Sequence, residues 1–326
     1  MKTDVLDGLD AVGPAAWQAL HAASEPRSPF VSWIWQSEWA RAFAPSDRLE
    51  IRRVSDDAGR LLGLLPLYEA EPGVFRLIGG VDVSDYLDLL AEAGREADVW
   101  SALLGARPST RPVWDLHSVP AASPTVTRLP ALATEHGSEV TVTLEERCPL
   151  LALPETWDAY LASLSGKARH EMLRKLRRVE REVPEARAIG LSSRAEVESH
   201  FDDFLGLHRR SRVGKARFMD ERMEGFFRRV AAMLAEAGGF RLWLLETDAG
   251  PLASFLCLEW DDTVGLYNSG FSPQAAALSP GLVLLTHVIR DAIGRGKRRF
   301  DFLRGEERYK YEFGPTPHDV YTVTIR

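Results

Sequence analysis

Cysteine is almost missing from this chain. Only Cys148 and Cys257 occur in 326 residues, far apart and outside any CxxC or His-rich spacing, which excludes a disulfide-stapled scaffold and supplies no metal framework. Such usage suits a reducing compartment. Long apolar runs are missing too. The opening stretch MKTDVLDGLDAVG carries Asp4, Asp7 and Asp10 where a secretory leader would be apolar, and nowhere do roughly 18 uncharged apolar residues follow one another. The expectation is a cytoplasmic protein without membrane insertion. Nor is positive charge in excess: 40 Lys and Arg against 47 Asp and Glu leave a net charge of −7, the wrong sign for general attraction to nucleic acid or acidic lipid. No G-x-S-x-G elbow and no Ser-His-Asp spacing occurs, so covalent catalysis is not indicated.

What is present is ordinary globular material, 45% hydrophobic and 27% charged, over a length that suits two domains. RLEIRRVSDD, RLLGLLPLYEAE and GVFRLIGG read as three strands separated by turn signals at Asp57–Gly59 and Pro72–Gly73, and being consecutive they are expected to be antiparallel. A strand at DYLDLLAE, a helix near Ala97–Leu104 and strands at PVWDLHSV and EVTVTLEE complete a mixed α/β domain over residues 1–150. Residues 151–326 repeat that order with longer helices. A helix from about Pro154 to Val183, broken near Ser165–Gly166, precedes a strand at ARAIGLS and helices at Ala195–Ser211 and Asp220–Ala237. Strands FRLWLLETD, PLASFLCLEW and TVGLYNSGF follow, then the loop SPQAAALSPG, a helix Leu282–Gly294, a strand RRFDFLR, a short helix around Glu306–Phe313 and a last strand DVYTVTIR. Ala168, Met172, Leu176, Val179 and Val183 recur at helical spacing, as an amphipathic helix requires. The shared order of elements, without obvious identity of letters, suggests an internal duplication.

From residue 185 on, the order strand, two helices, three strands, loop, helix, strand, short helix, strand is similar to that of the GNAT acyltransferase fold. The stretches LSGKARHEMLRKLRRVERE, FLGLHRRSRVGKARF and SPGLVLLTHVIRDAIGRGKRRFDFLRGEERYKYEFG, and more weakly PFVSWIWQSEW and SDYLDLL, resemble the double-domain branch called FemAB-like or CelD-like. The resemblance implies an α/β protein of two tandem GNAT-like domains, each a mixed, largely antiparallel sheet flanked by helices. Residues 1–150 would form the acceptor side and 151–326, with the basic helix 154–183, the donor side. It further implies an N-acyltransferase that uses acetyl-CoA or another acyl-CoA, without a metal, on an amine of a small-molecule, sugar or peptide acceptor, by direct attack in a ternary complex. An aminoacyl-tRNA donor is the alternative in that branch, and a non-catalytic binding scaffold is a third reading. The fold's common phosphate loop, Gln/Arg-x-x-Gly-x-Gly/Ala, is missing; Ser279, Pro280 and Gly281 stand in its place.

Each candidate residue has a functional and a plain reading. Ser279, Gly281 and Leu282 open an apolar helix whose unpaired N–H groups suit a pyrophosphate, or Ser279 simply caps one of them. In the GNAT order a tyrosine on the short helix after the penultimate strand protonates the departing thiolate. Tyr309 is preferred over Tyr311, because one residue turns Tyr311 by about 100°, toward the core; or both only pack. Asp301 alternates with Phe300 and Phe302, so it faces away from both, as a base for the acceptor amine or as a solvated or Arg304-paired acid. Glu306 is the next acid. Arg304 and Lys310 would bind a phosphate or carboxylate, or pair with Glu306 and Glu307. On Lys167–Arg181 the basic residues would meet phosphates of a tRNA or coenzyme, or simply face water. His208 and Arg212 share a helix face, near Phe218, as substrate contacts or structural groups; Tyr267 and Asn268 are candidates on their strand. Asp85 and Tyr86, with Asp82 and Asp88, would hold a cationic acceptor or only build a turn. Trp33, Trp35 and Trp39 read as packing.

Overall fold

The computed structural model describes residues 1–25, 27–44, 48–108, 110–211 and 213–326 and divides the chain into two units, Met1–Arg147 with His318–Arg326, and Cys148–Pro317. The first unit contains β1 (Lys2–Leu6), α1 (Pro14–Ala23), α2 (Trp33–Phe43), β2 (Leu49–Ser55), β3 (Leu61–Glu71), β4 (Val74–Leu77), β5 (Leu90–Ala91), α3 (Glu96–Gly105), β6 (Val113–Pro120), α4 (Pro124–Thr127), α5 (Leu129–Glu135) and the first part of β7 (Val140–Ala152). Strands β1 to β4 pair antiparallel in sequence, and β4 meets β6 in parallel. The apolar run LLGLLPLY makes β3 a strand buried on both faces, as a central strand must be. The strand expected at DYLDLLAE shrinks to Leu90–Ala91, paired to β3 at Gly63 and Leu64.

The second unit contains α6 (Trp157–Ser163), α7 (Gly166–Glu182), β8 (Arg187–Leu191), α8 (Arg194–Ser211), α9 (Val213–Phe218), α10 (Glu221–Glu236), β9 (Phe240–Glu246), β10 (Ala253–Trp260), β11 (Thr263–Phe271), α11 (Pro280–Gly294), β12 (Arg299–Asp301) and the start of β13 (Thr316–Ile325). Helix starts follow the caps: Ser165 accepts from the Ala168 N–H at 3.2 Å and Asp220 from the Met223 N–H at 2.8 Å, the bonds that satisfy first-turn donors. Helix α11 buries Val283, Leu285, Val288, Ile289 and Ile293 with Val264, Phe300 and Phe302. Met172 and Val179 of α7 join the same core, so the apolar stripe of the basic helix packs within this unit. The expected short helix at Glu306–Phe313 is instead a loop followed by a single 3-10 turn, Lys310–Phe313.

Both units run strand, helices, three antiparallel strands, helix and a strand parallel to the third. Strand β1 and helices α1 and α2, overlooked in the sequence, complete the first copy. The end of β13 pairs with β6, which puts His318–Arg326 in the first unit.

A charge network holds that last strand. His117 on β6 lies 2.9 Å from Asp115 through Nε2 and 3.3 Å from Glu145 of β7 through Nδ1. Thr322 and Thr324 of β13 donate to Glu145 and Asp115 at 2.9 and 3.2 Å. Asp115 first, then Glu145, raise the His117 pKa from 6.5 to about 9. Asp115 is lowered to about 2, chiefly by His117. Burial opposes the charge on Glu145, yet hydrogen bonds from His117, the Ser118 N–H and Thr322 bring it to about 2 as well. A raised histidine pKa contributes stability that is complete below 6.5 and lost as pH rises through about 9; depressed carboxylates contribute above their ordinary range and lose it as pH falls toward 2. Thermal unfolding should therefore show Tm falling between pH 7 and 10, by the equivalent of about 2 kcal/mol, and His117→Ala should flatten that slope.

Candidate active site

The site is built where β11 and β12 part. They pair in parallel only at Thr263 with Arg299, Val264 with Phe300 and Gly265 with Asp301; β12 then ends, while β11 continues to Phe271. Opposite β10 the register slips, Leu256 facing Asn268 but Cys257 facing Leu266, so Tyr267 is the extra residue of a β-bulge. A bulge bends its strand and re-aims side chains. Helix α8 presses on the same stretch: a Cβ on Gly270 would lie 2.4 Å from the His208 backbone nitrogen, so only glycine fits there.

Beyond Phe271 a 3-10 turn, Pro273–Leu278, leads to Ser279 at φ 54° and then to α11. Ser279 makes no side-chain cap bond, so the plain reading of Ser279 as a cap does not hold. Pro280 brings no N–H, and space around the Gly281 Cα is open. The first-turn N–H groups of a fifteen-residue helix thus remain at the carboxyl end of the parallel pair, the place where α/β sheets bind ligands. Beside it a small depression is lined by Ala168, Met172 and Lys175 of α7, Leu282 and Thr286 of α11, and Glu312 and Phe313.

The segment after β12 departs from expectation in three ways. Asp301 is buried, 4% exposed, and its Oδ1 accepts the Leu303 N–H at 2.7 Å, so it is not a solvated acid; it ties the turn that leaves the strand. Leu303 sits at φ 55° although 1% exposed. Lys310, expected to bind a phosphate, is buried, and its Nζ donates to the Arg304 and Gly305 carbonyls at 2.8 and 2.9 Å and pairs with Glu307 at 2.9 Å. All three ammonium protons are used, so none is left for an anion. The tyrosines are also inverted: Tyr309 packs on the core, whereas Tyr311 is exposed and its hydroxyl donates to Glu306 at 3.0 Å. The helical 100° step fails because the chain makes only a 3-10 turn here.

Of the remaining candidates, Tyr267 and Asn268 lie on β11 past its pairing with β12 and His208 lies where α8 presses on that strand, whereas Asp85 and Tyr86 belong to the first unit. His208 is 1% exposed, among Phe204 and Phe218 at 5.3 and 6.4 Å between ring centres; Tyr267 packs at 5.5 Å, tilted, against Phe227 of the same aromatic group. Asn268 Oδ1 accepts the Ser269 N–H. Arg212 lies outside the described residues. Asp85 is buried, the Tyr86 carbonyl accepts from Ser28 at 3.1 Å, and Asp88 accepts from the Thr125 hydroxyl at 2.5 Å, its carboxyl pushed by burial to about 6. Trp35 and Trp39 are core residues. Among the described residues no His, Cys, Asp and Glu cluster is placed to hold a metal, and no helix is long and apolar enough to cross a membrane.

Residues 166–311 match the family model described as Acetyltransferase (GNAT) domain. No curated protein matches by sequence. Among solved structures the chain is similar to FemX, at 10% identity with TM-score 0.66, over 100% of this chain and 97% of FemX. A conserved protein of unknown function from Bacteroides thetaiotaomicron VPI-5482 aligns at 12% identity and TM-score 0.64 over the whole of both chains. L-PGS from Bacillus licheniformis aligns at 12% identity and TM-score 0.55, over 89% of this chain and 90% of that one. The chain has a double-domain GNAT fold of the FemAB-like kind. This is an acyltransferase-type fold, and the parting strands with α11 belong to the GNAT domain of the second unit.

In that GNAT domain Lys310 works as an internal strut. Lys310→Met should lower stability by about 2–3 kcal/mol in denaturant unfolding, since it strips charged hydrogen bonds from a buried site, and should speed amide exchange over residues 304–310.

Proposed function

We propose that the chain is an N-acyltransferase taking an acyl-CoA at the parted strands of unit 2 and passing the acyl group to an amine by direct attack. The observation that carries this reading is the separation of β11 from β12 after three paired positions, next to an α11 N-terminus without a side-chain cap. Free N–H groups there suit the diphosphate, and an extended arm containing amides can lie along an open strand edge. The acceptor nitrogen then attacks the thioester carbonyl, the C–S bond breaks, the thiolate takes a proton, and the nitrogen loses one to a base or to water.

Tyr309, partly buried against the core beside that loop, is the first candidate to protonate the thiolate, and Tyr311 donates to Glu306. Glu306, exposed in the same loop, is the carboxylate offered to the acceptor's ammonium group, and Asp301 holds the turn that carries it. Unit 1 is taken as the acceptor side. Two buried thiols suit work in the cytoplasm.

A second reading, an aminoacyl-tRNA donor, draws on one observation: Lys167, His170, Arg174, Arg177 and Arg181 fall at three- and four-residue steps on the exposed side of α7, an array that fits successive phosphates.

Calorimetric titration with coenzyme A tests the first reading. Saturable binding is expected, and Gly281→Asp should weaken it at least about tenfold by placing a carboxylate at the diphosphate position, with Tm unchanged or higher because an acid in a first helical turn is favourable. Tyr309→Phe should lower kcat and leave KM nearly unchanged. A folded protein that ignores coenzyme A but binds charged tRNA with steep salt dependence would favour the second reading; binding to neither leaves the scaffold.

A further inference from the structure

The two units repeat one strand-helix-strand element, and the connection inside it is built differently in each. In unit 2 the connection from β11 to α11 is short, and its 3-10 turn has no buried residue. In unit 1 the equivalent connection, from Leu77 of β4 to Glu96 of α3, is longer and turns inward. Ile78, Val83, Ser84, Asp85 and Leu87 are all buried.

That segment bonds to β6 and folds back on its own start just past β4. β4 and β6 pair only at Val74 with Val113 and Phe75 with Trp114. Beyond that point the Leu87 N–H donates to the Ser118 carbonyl of β6 at 3.1 Å. On the other side Gly79, just past β4 at φ 119°, lies so close that a Cβ there would be 2.7 Å from Leu87 Cδ2 and 2.8 Å from Ser84 Oγ. Ser84 is itself fixed, donating to the Gly79 carbonyl at 2.9 Å and accepting from Trp35 Nε1 at 2.8 Å. The helix end is altered as well. α3 carries Glu96 and Asp98 in its first turn, Asp98 paired with Arg95 at 2.9 Å and Glu96 accepting the Gly94 N–H at 3.1 Å. α11 has no acid in its first turn. A phosphate reaching α3 would meet two carboxylates where α11 offers none.

We infer that Ser84–Leu87 is an internal occupant of the first unit's ligand slot, so that the chain takes a single acyl donor, in unit 2. The wedge supplies the backbone hydrogen bond and apolar filling that a ligand's amide arm would otherwise supply, and it leaves unit 1 free for another role. The stoichiometry rests on the acyl-CoA reading above; the self-occupied slot does not.

Two measurements on the intact protein test the inference. Without ligand, the Leu87 amide should exchange at least about a thousandfold more slowly than an unstructured amide, as a core hydrogen bond does; exchange near the unstructured rate would overturn the wedge. With coenzyme A, calorimetry should give one site per chain, and Gly281→Asp should remove it without exposing a weaker one. Two sites, or binding that survives Gly281→Asp and is lost when Leu87 is replaced by Trp, would overturn it too. If coenzyme A does not bind at all, the donor reading fails and the Leu87 exchange rate alone decides the inference.

Discussion

Backbone N–H and C=O groups that leave a sheet ladder must find other partners, and this chain meets that demand in two opposite ways. Where β4 and β6 part, the protein answers with its own Leu87. Where β11 and β12 part, β11 runs on to Phe271 past the last position it pairs with β12. The bulge at Tyr267 and the glycine at 270 serve the second arrangement, bending the strand and letting α8 press against it. The uncapped start of α11 falls at the same end of the pair.

The loop after β12 is held by strain and compensation. A leucine in the left-handed region costs on the order of 1–2 kcal/mol. Burial of the Leu303 side chain and the bond from its N–H to Asp301 offset that cost. Lys310 then closes the loop from the far side through two carbonyls and Glu307. Such bracing presets the positions of Glu306, Tyr309 and Tyr311 before any substrate arrives, the kind of support that precise chemistry needs.

Much of the fold was legible because its signals are local. Ser165 and Asp220 mark helix starts by the bonds they make, and the apolar runs of β3 and α11 announce buried elements. The fold class and the GNAT resemblance followed from element order. Other features left no local signal. β1 is a mostly exposed edge strand containing Asp4, so it lacks the alternation that betrays a strand. The wedge around Ser84 reads as turn chemistry, and only its bond to Ser118, some thirty residues on, reveals what it fills. Lys310 looks like a surface cation among neighbouring charges; its burial is matched by the Arg304 and Gly305 carbonyls, which no sequence pattern announces. Tyr309 and Tyr311 exchanged environments because a 3-10 turn replaced a helix. Site residues were least legible where their roles depend on backbone geometry.

The central claim is that the parted strands of unit 2 receive the donor's diphosphate at the start of α11. A crystal structure of the protein soaked in coenzyme A tests it most directly. The account predicts diphosphate density against the backbone N–H groups of Gly281 and Leu282, with the amide arm along the β11 edge. Density for the diphosphate at α3, or at the α7 cations with none along β11, would contradict it.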